Sequence, residues 1–379
     1  MFSVGLLGAV KILMNIPKLR SKEIVCELMR SADNPRNSEG DFALLRNGDI
    51  LFAYSRYHGS DSDDDSPCDI AGLISHDCGR SFEPLPDLMV RALDHGVQNL
   101  MSVSFSRLPG GQLALFYLCK HSPRSAYYMR RADVDDETVF GEAETVIPQK
   151  NGIYYVVNNC RVCVTKEGTL LIPAAMHRVI RAESGKRDAE YYAASVVFRS
   201  DNGRTWRRLP HVFRLPQRGY SETGLQEPGV VELPDGRLYA YFRTDRAFQY
   251  ESVSADGGQT WTVPVQSRFT SPESPMLIRR NPYSGHYFAF WNPIPLFNGR
   301  IRPDAPWIDA GRTPFVMAVS ENGTDYSSFV TLEDDATHGY CYPAACFLDA
   351  KTLLLSYCCG GPEDGNCLTR TRIVRISLN

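Results

Sequence analysis

Alternating apolar and polar positions recur at six places along the chain, each time interrupted by a turn that carries glycine or aspartate. The segments are Asp41 to Tyr54 around Gly48, Ser102 to Tyr117 around Gly111, and Arg161 to Ala174 around Gly168. The others are Gly229 to Phe242 around Gly236, Pro275 to Phe290 around Gly285, and Ala344 to Tyr357 around Asp349. A period of two is that of a half-buried strand, and a glycine between two such runs supplies the positive φ of a hairpin turn. Successive turns lie 49 to 68 residues apart, room for about four short strands with their loops. Few helix-period segments intervene. The pattern predicts an all-β chain, a six-bladed β-propeller, with residues 23–379 forming one domain and residues 1–22 a tail.

A second pattern is interleaved with the first. Ser254-Ala255-Asp256-Gly257-Gly258-Gln259-Thr260-Trp261 fits S-x-D-x-G-x-T-W without a mismatch. Asp201-Asn202-Gly203-Arg204-Thr205-Trp206 fits it with Arg199 in the serine place, and Ser75 to Phe82 is a looser copy. Degenerate copies lie near Asp133 to Phe140 and Ser320 to Tyr326. Such a turn is held by the Asp side chain accepting from nearby backbone N–H groups, with glycine left-handed and the aromatic packed inward.

Composition narrows the partners. A net charge of −3 lacks the basic surface of a general nucleic-acid binder, yet leaves room for a few arginines to hold a small anion. No apolar stretch reaches the length of a membrane-spanning helix, and the run Gly5 to Val10 is shorter than an export signal requires. A cytoplasmic protein is expected. Its 11 cysteines, odd in number and scattered, then read as reduced thiols. Cys160-x-x-Cys163 has metal-binding spacing but no second pair to complete a zinc site, so neither metal nor cofactor is expected.

The S-x-D-x-G-x-T-W turns resemble the Asp boxes of the sialidase (neuraminidase) superfamily, and the likeness runs over roughly residues 30 to 360. Sialidases hold a substrate carboxylate with three arginines and attack with a tyrosine activated by a glutamate, an aspartate serving as acid/base. A tyrosine suits an anomeric carbon that already bears a carboxylate, because a carboxylate nucleophile would be repelled. Gln226-Glu227-Pro228-Gly229 running on to Arg243 is similar to the family segment that carries the glutamate and one arginine. An antiparallel hairpin would bring both to one rim. Arg312, ahead of Thr313-Pro314-Phe315, resembles the third arginine of the triad, and Tyr342 heads a segment similar to that of the nucleophile, with Tyr340 the fallback.

The first repeat departs from the family. The expected Phe/Tyr-Arg-Ile-Pro is replaced by Pro35-Arg36-Asn37-Ser38-Glu39, so Arg36 stands two residues before the arginine place and the clamp is either a pair or a triad. The acid/base is expected in the loop Ser60 to Ser66, at Asp63 or Asp64. Hairpin ends of the third repeat add Asn158, Asn159, Arg161, His177 and Arg178 as candidates for contact with a sugar. The resemblance implies an exo-glycoside hydrolase that releases a terminal acidic sugar, sialic acid first. The alternatives are a propeller enzyme acting on a uronic or neutral glycan, and a glycan-binding propeller without catalysis.

Overall fold

The computed structural model describes residues 16–181, 187–215, 220–294 and 311–379. Among the described residues every element of length is a strand; the helical pieces are short 3-10 turns, Ala92–His95 and Pro362–Asp364 among them. The architecture is an all-β propeller. Its unit is shown by the sheet Gln226–Glu232, Leu238–Arg243, Phe248–Ser254, Val265–Thr270, four antiparallel strands in chain order. Each predicted hairpin is present as an antiparallel pair, from Asn37–Leu44 with Ile50–Tyr57 to Cys341–Phe347 with Thr352–Cys358.

Among the described residues hydrogen bonding divides the strands into five sheets, where the repeat pattern predicts six. The difference rests on one residue pair. Cys68 and Asn99 meet as parallel neighbours and join the meander that starts at Asn37 to the one that starts at Asn99. The predicted tail also ends earlier than expected. Leu19–Leu28 is a strand that pairs antiparallel with Thr371–Leu378, Leu19 opposite Leu378, so the sheet of the chain's last strands takes its outermost strand from the beginning. Residues 1–15 of that tail lie outside the described residues. No helix among the described residues is long and apolar enough to cross a membrane.

The second and third strands of the units carry the core. Leu353, Leu354 and Leu355 are fully buried, as are Phe288 and Phe290, because a blade packed on both faces buries both sides of its middle strands. The Asp-bearing turns pin the outer edges. Ser254 Oγ accepts from Gly258 N at 2.9 Å, Asp256 accepts from Thr260 N at 2.9 Å, and Trp261 Nε1 donates to Gly258 O at 3.0 Å. In the copy near Gly203 the geometry shifts by one residue: Ser200 and Asn202, not Arg199 and Asp201, take the capping places.

One local device positions the site. The first strands of several units are broken near their start by a bulge, between Ser38 and Asp41, Met101 and Ser104, Gln226 and Gly229, and Cys341 and Ala344. Within these four bulges Glu39, Ser102, Glu227 and Tyr342 adopt φ between 45° and 60°. A non-glycine residue in this left-handed region costs about 1–2 kcal/mol, and the bulge re-aims its side chain. Side chains from different units thereby converge on one end of the axis.

Candidate active site

The cavity at that end is about 370 Å³ and is lined by all four bulge residues, together with Asp64, Lys120, Asn158, His177, Arg243 and Arg312. At its centre the Tyr342 hydroxyl donates to Glu227 Oε1 at 2.8 Å, across 115 residues of sequence. Arg243 ends the strand that pairs with Glu227's strand, Gln226 lying opposite it. Its Nη1 meets Glu227 Oε1 at 2.9 Å and its Nη2 meets Glu273 Oε1 at 2.7 Å. The hydroxyl of Tyr191 donates to the same Glu273 oxygen. Arg312 lies 5.6 Å from the Tyr342 ring centroid, and its Nη1 is 3.3 Å from Cys341 Sγ.

Electrostatics distinguish the members of this cluster. Burial alone would raise the Glu227 carboxyl, but Arg243 and Arg312 outweigh it and hold the group below the usual carboxylate range. Glu227 is therefore an ionised acceptor at neutral pH. Burial, reinforced by that carboxylate, pushes the Tyr342 phenol well above its ordinary value, so the tyrosine rests protonated with its proton directed at Glu227. A hydroxyl whose proton is directed at an ionised carboxylate can be activated by it for nucleophilic attack.

The opposite wall holds a second carboxylate cluster. Arg36 is fully buried; its Nη2 pairs with Glu39 Oε1 at 3.0 Å, its Nη1 with Asp64 Oδ1 at 2.6 Å, and its Nε donates to Ser38 Oγ. The guanidinium stacks 4.6 Å from the centroid of Tyr57 and does not line the cavity. Asp64 does line it, with its side chain 66% exposed, and Arg36 holds its carboxyl well below the usual range. Glu39, buried beside Arg36 and accepting from Ser102, is instead pushed up by burial.

The remaining sequence candidates divide. Asn158 lines the cavity with a buried Oδ1 that has no hydrogen-bond partner among the described residues. His177 also lines it; its Nδ1 donates to Glu190 O at 2.8 Å, and burial holds its ring below the ordinary histidine range. Arg178, the next residue on the strand, points away and is 69% exposed, since neighbours on a strand face opposite sides. Asp63 is exposed in its loop and stands outside the cavity. Arg161 lies in a different cavity. Asn159 Nδ2 donates to Gly40 O and Tyr342 O, tying strand starts together across the axis. Tyr340 is buried against Tyr357 and does not reach the cavity.

Sequence reasoning missed Ser102, Lys120, Tyr191 and Glu273, and quoted Glu39 only as part of the departing first-repeat motif. A signal for two of them existed. Glu39 precedes Gly48 by nine residues, as Ser102 precedes Gly111 and Glu227 precedes Gly236.

Fold and cavity together define a β-propeller with a polar pocket, rich in carboxylates and guanidinium groups, at one end of its axis. Residues 85–352 match the family of BNR repeat-like domains, and the chain belongs to that family. No curated protein sequence matches it. Among solved structures it is similar to a protein of unknown function from Dyadobacter fermentans, at 16% identity and a TM-score of 0.70, over 96% of this chain and 100% of that one. It is similar to the Hadza microbial sialidase Hz136 at 15% identity and a TM-score of 0.68, over 91% of this chain and 67% of that one. An α-L-arabinanase from Penicillium chrysogenum, complexed with arabinobiose, is similar at 12% identity and a TM-score of 0.60, over 94% and 98% of the two chains. At these identities the likeness is one of fold.

Proposed function

We propose that the chain is an exo-glycosidase that removes a terminal acidic sugar, sialic acid first among the candidates, from a small glycan. The observation that carries this reading is the 2.8 Å contact between Tyr342 and Glu227 with Arg243 and Arg312 beside it. In the proposed reaction the Tyr342 oxygen attacks the anomeric carbon while Glu227 takes its proton. The glycosidic C–O bond breaks, and Asp64, protonated from solvent at the mouth, gives its proton to the leaving oxygen. Water then attacks the tyrosyl–sugar bond, with Asp64 taking a proton from the water and the phenolate recovering the one held by Glu227. Arg312 would pair with the substrate carboxylate, Arg243 would hold Glu227 in place, and Asn158 would accept from a sugar hydroxyl.

A second reading, hydrolysis of a neutral glycan, is favoured by one feature of the cavity. Arg36 is withdrawn behind the wall, and both terminal nitrogens of Arg243 already hold Glu227 and Glu273. Among the described residues, that leaves Arg312 as the cavity arginine without a carboxylate partner. Aryl glycosides separate the two readings. Turnover of an aryl sialoside, lost in Tyr342→Phe, supports the first; turnover of an arabinoside or another neutral glycoside, with none of the sialoside, supports the second.

A further inference from the structure

We propose that a second cavity, at the other end of the same inner strands, binds a compact oxoanion of the phosphate or sulfate class, free or as the end group of a small molecule. The cavity is about 310 Å³, and its charged lining is Arg161, Lys166, Glu232, Arg279 and Arg280. The strand Gln226–Glu232 places Glu227 in the candidate active site and Glu232 here. At ~3.3 Å per residue the two ends stand about 16 Å apart along the strand, so one small ligand cannot occupy both.

The charge balance of this cavity is unfinished. Four cationic residues line the cavity against one carboxylate residue, Glu232, which already accepts from the Lys166 backbone N–H at 2.6 Å. Asp41 approaches Arg279 at 3.9 Å from outside the lining. Lys166 Nζ is used by Pro234 O at 2.9 Å. Arg161 is the decisive residue. It is only 3% exposed, its Nη2 donates to Met276 O at 2.8 Å, and its Nε and Nη1 have no partner among the described residues. Arg279 Nε is likewise buried and unpartnered. Among the described residues no carboxylate pairs with Arg161; its guanidinium lies 5.8 Å from the Tyr241 ring centroid. A guanidinium stays charged at any working pH, and a buried charge without a counterion is costly. An oxoanion seated among Arg161, Arg279 and Arg280 would supply both the missing charge and acceptors for the unused N–H groups. It would also tie together the third, fourth and fifth repeats, from which the lining residues come.

The test is calorimetric melting of the full chain in inorganic phosphate, against sodium chloride of equal ionic strength. A specific site raises Tm by about 3 °C at a hundredfold excess over Kd for a chain of this length. The rise should vanish in Arg161→Gln and persist in Arg312→Gln, which alters only the first cavity. Should Arg161→Gln fail to fold, the exposed Arg280 offers a milder change, and Arg280→Gln should at least halve the rise. Crystals soaked in selenate should show an anomalous peak between Arg161 and Arg279. No rise in wild type, a rise lost in Arg312→Gln but kept in Arg161→Gln or Arg280→Gln, or a selenate peak only elsewhere would overturn the proposal.

Discussion

Arg243 is buried against two carboxylates, so replacing both should cost more stability than the two single replacements added together. Glu227 is slightly more buried than Arg243, whereas Glu273 is 33% exposed. Glu227→Gln keeps a neutral acceptor but removes a charge-assisted bond, a loss of about 1.5–3 kcal/mol. Glu273→Gln acts nearer solvent and should cost about 0.5–1 kcal/mol. In each single variant the guanidinium retains one anion. In the double variant it retains none, while Arg312 still repels it. The coupling beyond additivity is therefore expected to be about 1–3 kcal/mol. For 379 residues the entropy of unfolding is about 0.8 kcal/mol/K, so a coupling of about 2 kcal/mol is a further 2–3 °C of Tm. Differential scanning calorimetry of the four proteins reads it directly. Additivity within about 0.5 kcal/mol would refute the claim that Arg243 depends on both partners.

Three further outcomes follow from the site. In the proposed reaction the rate needs Asp64 protonated and Glu227 ionised, and both carboxyls are held low. kcat/KM should therefore rise as pH falls below neutral and drop again once Glu227 protonates; removing the cation that depresses Asp64, in Arg36→Gln, should move the optimum toward neutral by about a unit or more, read from a pH–rate profile. Asp64→Asn should slow substrates with poor leaving groups by about 10²–10⁴ and activated aryl glycosides far less, a contrast absent if Asp64 only shapes the mouth. A Cβ on Gly229 would stand 2.0 Å from Tyr241 Cζ; Gly229→Ala should cost about 1–3 kcal/mol of overpacking in a melting experiment, and an unchanged Tm would contradict the tight strand contact.

The hairpins were legible because period-two alternation and turn glycines are local properties. The pairing of Leu19–Leu28 with the C-terminal strand was not. That strand is an outer edge whose residues are only partly buried, so its alternation is faint, and its partner lies at the far end of the sequence. Glu227 and Arg243 could be placed together because an antiparallel register is fixed by turn length. Arg36 could not, since the bulge between Ser38 and Asp41 decides where it points, and the buried Glu39 draws it inward. Arg161 was assigned to the wrong end of the axis. Cys160, one position earlier, takes a left-handed φ of 56°, and Arg161 turns from there toward Met276 and Tyr241. Alternation alone should have kept only one of His177 and Arg178.

The central claim is that Tyr342 is the nucleophile and Glu227 its base. Mass spectrometry of the protein after exposure to a slow fluorinated sialoside tests it most directly. The account predicts a single added glycosyl group on the peptide containing Tyr342, formed at least 10²-fold more slowly in Glu227→Gln and absent in Tyr342→Phe. An adduct on another residue, or unimpaired hydrolysis of an aryl sialoside by Tyr342→Phe, would contradict it.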